Sequence, residues 1–347
     1  MKKYFALDVA QFIASIMIIF IHCGQIFNNE IMHFLIKTVI ARIAVPLFLV
    51  STAYFYRKKS KADKSYHRKY FIRQIKTYLF WSLFYLPYCI HFLIQKHIPL
   101  FLTPFALIIA LFYTGVCYHL WYFPALFLGL YIAKYLFKIS RKITFLIAMT
   151  LYTLGSCETY SKILDPNLFR IYTIYKSLFF TTRNGLFYVL PFIIIGFFLA
   201  DLKPKSLLYK KRKFFLCSSF FLLFIETGFI FFRQGDDKNF LFSLIPLSFF
   251  LVMQLLNLKN NIKISRQLRK LGQFIFFIHP LFIEIFKLNL NLIGWQLFLL
   301  TALCCLISYI FIQGIKKLPN TSRIIAKSGH LKSKISNISS ATNENIQ

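Results

Sequence analysis

Acidic residues are scarce in this chain: eleven Asp and Glu stand against 42 Lys and Arg in 347 residues, a formal net charge of +31. Charge of either sign is scarce too, at 15% against 58% hydrophobic, where soluble domains run to about a quarter charged. That deficit excludes folding around a single aqueous core. Short runs of alternating polar and apolar residues are missing, which excludes a membrane barrel. The seven cysteines include no Cys-x-x-Cys pair and nearly all fall in apolar stretches, so neither a metal site nor a disulfide frame is expected. A glycine-rich phosphate loop is also absent, so any nucleotide-like ligand would be held by side-chain charge. Lys2 and Lys3 precede an apolar block without a small-residue cleavage site, which reads as a retained helix and not a removed signal peptide. No internal repeat is visible, against the repeat-built transporter folds.

What the chain does have is apolar blocks of a length suited to a hydrocarbon layer about 30 Å thick. They run roughly over 5–27, 34–56, 75–95, 101–117, 119–137, 143–157, 185–202, 214–232, 240–257, 272–288 and 293–314. The expected fold is all-α, a polytopic transmembrane helix bundle. The cations lie between the blocks, which argues against nucleic-acid binding and for cytoplasmic loops of a plasma-membrane protein. Nine Lys and Arg crowd 57–76, and further basic linkers lie at 134–142, 203–213, 259–270 and from Lys316 onward. All of these share one face only if 101–117, flanked or interrupted by Pro99, Pro104 and Gly115, dips in and leaves on the same side. The expectation is therefore ten crossings and one re-entrant or interfacial segment, with both termini cytoplasmic. Residues 1–318 form the membrane domain and 319–347 a disordered tail; 158–184 is the longest outer segment, expected to fold as a cap.

An ionisable side chain inside lipid costs a few kcal/mol, so each one is a functional candidate. In the first block Asp8, Gln11, Ser15 and His22 fall within about 60° of arc at 100° per residue. This polar stripe either serves chemistry or simply hydrogen-bonds to neighbouring helices. Helical rise sets His22 about 8 Å and Arg42, on the next helix, about 12 Å from their outer ends, so the two come to similar depth. His119, Arg183, His279 and Glu284 fall in the same mid-to-outer half. Together they imply an outward cavity lined for polar chemistry or transport. The cations of 57–76 could bind anionic lipid of the bilayer or the phosphates of a cytosolic ligand.

Several stretches resemble the integral-membrane acyltransferase family 3. DVAQFIASIMIIFIH (Asp8 to His22) is similar to its first helix, RIAVPLFLVSTAYFY (Arg42 to Tyr56) to its second, and Arg73-x-x-Lys76 to its Arg-x-x-Arg. YHLWYFPALFLG (Tyr118 to Gly129), TRNGLF (Thr182 to Phe187) and FFIHPLFIE (Phe276 to Glu284) complete the set. YHLWYFPA with TRNGLF looks closest to the membrane half of vancomycin-resistance serine racemases; no racemase domain fits after Lys316, so racemisation is not expected. Gln11 stands where the family carries Arg, Thr52 where Gly is usual, and Lys76 in place of the second Arg.

The resemblance implies transfer of an acyl group, acetyl by expectation, from cytosolic acyl-CoA to a hydroxyl of an extracytoplasmic envelope polysaccharide. On that reading His22 is the general base, Arg42 stabilises the acyl oxygen, and Asp8 and Gln11 orient the stripe. Arg73 and Lys76 meet the phosphates of acyl-CoA. Tyr118, His119, Trp121, Arg183, Asn184, His279 and Glu284 line the cavity or hold the acceptor. The alternative is a carrier or binding protein for a small polar solute such as serine.

Overall fold

A computed structural model describes residues 4–258 and 265–315. Helix α1 (Phe5–His22) ends where Gly24 adopts φ +77°, a left-handed conformation that glycine takes at little cost. His22 is thus the last helical residue, whereas helix had been expected to continue to about residue 27. Helix α2 (Glu30–Ala62) starts on Asn29, whose side chain accepts from Met32 N–H at 3.0 Å. It is irregular in one place only: a widened π turn over Leu35–Ile40 is followed at once by a tight 3₁₀ turn over Ala41–Ile43 that carries Arg42.

Helix α3 (Tyr66–Phe84) follows a link of three residues held by an Asp63–Ser65 turn. The basic stretch 57–76 is therefore two helix ends, not the loop expected. Helix α4 (Leu86–Gln95) is bent 52° from α3 across Tyr85, beside Pro87, so the expected single span 75–95 is broken. Helix α5 (Leu100–Thr114) shows most of its apolar side chains to the outside and is tied to α3 by the Tyr78 hydroxyl donating to the Leu111 carbonyl at 2.6 Å. It ends at Gly115 (φ +82°), where any Cβ would stand 2.4 Å from the Trp121 backbone nitrogen. Only glycine allows the chain to fold back so closely.

The remaining helices of ten residues or more are α6 (Tyr122–Ile139), α7 (Arg141–Gly155), α8 (Pro166–Phe179), α9 (Gly185–Asp201), α10 (Arg212–Phe232), α11 (Leu244–Asn257), α12 (Ser265–Leu290) and α13 (Gly294–Ile315). No strand occurs among the described residues. The chain is an all-α, multi-pass membrane bundle. Among the described residues six helices are long and apolar enough to cross a membrane, a seventh if the bent α3–α4 pair is one span, and α5, α9 and α11 are shorter apolar helices. The expected ten exceeds that count because α7, α9 and α11 are short.

Helix α9 is the core of the bundle: Leu190, Phe192, Ile193 and Ile194 have no exposure. Its Gly196 meets α2 so closely that a Cβ would lie 2.5 Å from Ala53 Cβ, the small-residue contact that lets membrane helices approach. At one end of the bundle Asp201 gathers Arg57, Lys61 and Arg141 at 3.1, 2.5 and 3.2 Å, joining the ends of α2, α7 and α9. The starts of α1 and α12 meet through Asp8 and Arg269 at 3.4 Å. At the other end of α1, Lys287 of α12 donates to the His22 carbonyl at 3.4 Å and Gly294 N–H to that of Cys23 at 2.9 Å. Helices α1 and α12 therefore run parallel, and α13 returns. Of the expected basic linker 259–270, residues 259–264 lie outside the described residues, as does the tail 319–347, and 265–270 belong to α12.

Candidate functional site

Around the end of α1 lies a small cavity of about 60 Å³. Helix α1 brings His22 to it, the irregular turn of α2 brings Arg42, and the fold-back after Gly115 brings Tyr118, His119 and Trp121. Arg183 comes from the loop before α9, and Tyr188 and Asn239 complete the polar wall. His22 stacks on His279 at 5.7 Å between ring centroids and meets Tyr118 at 4.6 Å; His119 and His279 stand 5.5 Å apart. His22 and Arg42 thus face a common space, as the sequence expectation required. Among the described residues no cluster of His, Cys, Asp or Glu has the arrangement of a metal site.

The two guanidinium groups are held differently. Arg42 pairs with Asp237 at 3.4 Å and donates to the Asn239 side-chain oxygen, while Asn239 donates to Asp237. Arg183 lies over the Trp121 ring, 4.8 Å from its centroid, a contact worth about 0.5–2 kcal/mol. His279 holds its Nδ1 at 3.0 Å from the Ile275 carbonyl. A carbonyl only accepts, so Nδ1 carries the proton and Nε2 a lone pair. The Tyr118 hydroxyl, both His119 nitrogens, His279 Nε2 and the Nε of Arg42 and Arg183 are buried without a hydrogen-bond partner. Each such group costs about 1–3 kcal/mol when left unmade, so donors and acceptors are both ready for a polar ligand.

Several expected members lie elsewhere. Asp8 and Gln11 share the His22 stripe, but helical rise separates them from it by about 21 and 16 Å. Asp8 turns to Arg269, and the Gln11 amide donates to the Ser51 hydroxyl at 2.9 Å, so neither orients His22. Asn184 does not line the cavity: its oxygen caps α9, accepting from Leu186 and Phe187 N–H at 2.9 and 3.0 Å, and its amide reaches Tyr113 and Tyr175. Glu284 sits five residues beyond His279, about 140° around α12, and is not among the lining residues. His279 forms the layer behind His22. Arg73 and Lys76 are exposed on α3, one turn apart, Arg73 lying over Tyr70.

Spacing did not reveal the partners that set the cations. Asp237 and Asn239 stand 195 and 197 positions from Arg42. Glu158, only 6% exposed, accepts from the Thr181 hydroxyl at 3.0 Å and Thr182 N–H at 2.8 Å, and so shapes the loop that presents Arg183. Glu226 does the same for the 242–243 backbone, accepting from Phe242 and Ser243 N–H at 2.6 and 2.9 Å. The one available signal was scarcity: with eleven acidic residues in the chain, each deserves a purpose.

A family model described as an acyltransferase domain matches residues 4–313, almost the whole helical bundle. The chain belongs to this acyltransferase family. It is similar to a serine/alanine racemase of Enterococcus gallinarum, 29% identical over 288 residues that cover 79% of this chain and 40% of the relative. An amino-acid racemase of Enterococcus faecalis is 29% identical over 237 residues, covering 65% of this chain and 32% of the relative. The chain spans less than half the length of these curated relatives. No solved structure matches it significantly. The chain is thus a helical membrane protein of the acyltransferase family, and both the expected family and the expected fold class are met.

Proposed function

We propose that the protein transfers an acyl group, acetyl in particular, from acyl-CoA on the cytoplasmic side to a hydroxyl of an envelope carbohydrate on the other. The observation that carries this reading is the meeting of His22 and Arg42 at one cavity in a chain of the acyltransferase family. His22 takes the proton of the acceptor hydroxyl, whose oxygen attacks the thioester carbonyl carbon. The C–S bond breaks, the ester forms, and the thiolate of coenzyme A takes the proton back from the imidazolium. Arg42, fixed by Asp237 and Asn239, faces the charge that develops on the acyl oxygen. Arg73 and Lys76 are exposed cations midway along α3 and would meet the phosphates of the donor. The positive-inside rule puts their end of the bundle, and both termini, in the cytoplasm of a plasma-membrane protein.

The test is His22→Ala in correctly inserted protein. Transfer from labelled acyl-CoA to envelope polymers should fall by about 10²–10⁴-fold, the usual worth of a general base; undiminished labelling defeats the mechanism. A carrier for a small polar solute such as serine is the second reading; that its relatives are amino-acid racemases supports an amino acid as the solute. Uptake of labelled serine into vesicles, without acyl transfer, would decide for it.

A further inference from the structure

The charges around the cavity do not balance. Arg42 has its counter-ion in Asp237. Arg183 has no carboxylate within ion-pair distance among the described residues; its guanidinium rests on Trp121 and its Nε is buried without a partner. The acids near it are engaged. Glu158 is occupied by Thr181 and Thr182, and Asp236 by Lys176, Tyr172 and Ser161 at 2.5, 2.9 and 3.4 Å. The cavity wall therefore carries two guanidinium charges, with a single carboxylate, that of Asp237, paired to one of them. Guanidinium stays ionised at any physiological pH, and this one, partly buried with its Nε shut off from solvent, has no counter-charge of its own among the described residues. Such a group, resting over an indole and lining a polar cavity, suits an anion with two oxygens.

We propose that the ligand of this cavity is a hydroxylated anion: Arg183 holds its carboxylate or phosphate, and its hydroxyl lies toward His22. The anion half of this inference stands on charge and geometry; the placement of the hydroxyl rests on the acyl-transfer reading. In the reaction the anion is a spectator. It anchors the acceptor while the hydroxyl oxygen gains the acyl group and loses its proton to His22. Trp121 has a defined part, since its ring fixes the plane in which the guanidinium fork is offered.

Three small probes of similar size separate the possibilities: glycerate, glycerol phosphate and glycerol. Binding is read on the purified full chain in detergent, by calorimetry and by the shift in melting temperature. One or both anions should bind, and the two arms tell a carboxylate site from a phosphate site; glycerol should bind at least tenfold more weakly. Arg183→Gln should weaken the bound anion by tenfold or more, and Arg183→Lys, which keeps the charge but not the fork, by less. Far-UV circular dichroism and the melting temperature of each ligand-free variant certify its fold, and Trp121→Leu gives a second, independent loss of affinity. Binding of glycerol equal to that of the anions, binding of neither anion, or undiminished anion affinity in a folded Arg183→Gln protein overturns the proposal. His22→Ala separates the two readings. Anion binding that survives in this variant while transfer is lost supports both; anion binding to the unaltered protein without any transfer removes the transferase reading and leaves the site.

Discussion

Glu158 touches neither His22 nor Arg42, yet the geometry makes it a control point for the cavity. Its carboxylate is the acceptor for the loop that carries Arg183, through Thr181 Oγ1, Thr182 N–H and Thr182 Oγ1 at 3.0, 2.8 and 2.6 Å. The last hydroxyl also lies 2.7 Å from the Gly155 carbonyl and has one proton to give, so two donors depend on Glu158 outright. A hydrogen bond to a charged acceptor contributes about 1.5–3 kcal/mol and a neutral one about 1. Glu158→Gln keeps an acceptor but not the charge and should cost about 2 kcal/mol over two bonds. Glu158→Ala strands the buried Thr182 N–H and leaves a gap, for a total of about 4 kcal/mol. The assay is thermal unfolding in detergent, with Trp121 as the sole tryptophan after Trp81→Phe and Trp295→Phe, since the chain has three. Both variants should melt earlier in the order Ala before Gln, and the Trp121 emission should change as Arg183 leaves the ring. Equal melting of all three proteins refutes the hydrogen-bond reasoning. Earlier melting with an unchanged Trp121 spectrum refutes the link from Glu158 to Arg183.

Two further outcomes are expected. Gly235→Ala would set a Cβ 2.2 Å from the Thr159 carbonyl oxygen, so the 235–240 loop must move, at about 1–3 kcal/mol; because Asp237 and Asn239 move with it, acyl transfer should fall alongside the melting temperature, and full activity would show that Arg42 does not need them. Hydrogen bonding from Lys176, joined by Tyr172, holds the Asp236 carboxyl below the ordinary carboxylate range. A lowered carboxylate stabilises the fold above the unfolded value near 4 and loses that contribution as pH falls through the folded value. The protection factors of α8 amides, with the intrinsic pH dependence of exchange divided out, should therefore stay level from neutral pH to about pH 4 and fall only below it; a fall already between pH 5 and 6 would place its anchor elsewhere.

Much of the candidate site was legible before any coordinates. His22, Arg42, His119 and Arg183 stand out as ionisable residues in, or bordering, apolar blocks, Tyr118 and Trp121 only through the family resemblance, and all six line the cavity. The choice works because lipid makes such residues expensive unless they face inward. Asp8 and Gln11 were grouped with them because helical period reports which face a residue occupies; it says nothing of how far along the axis its partners stand. Asn184 was misread for a different reason. An Asn before a glycine and an apolar run suits both a pocket and a helix cap, and the cap is a local need met first.

Composition and period alone determined that this chain is a helical membrane protein with its cations between the spans, because partition into hydrocarbon and helical rise act on each segment by itself. Tertiary structure alone decided which cation is neutralised and which is not. Asp237 reaches Arg42 across 195 positions while Arg183, with Trp121 beneath it, finds no carboxylate among the described residues. Pairings of that range depend on how the helices pack, and no window along the sequence contains them.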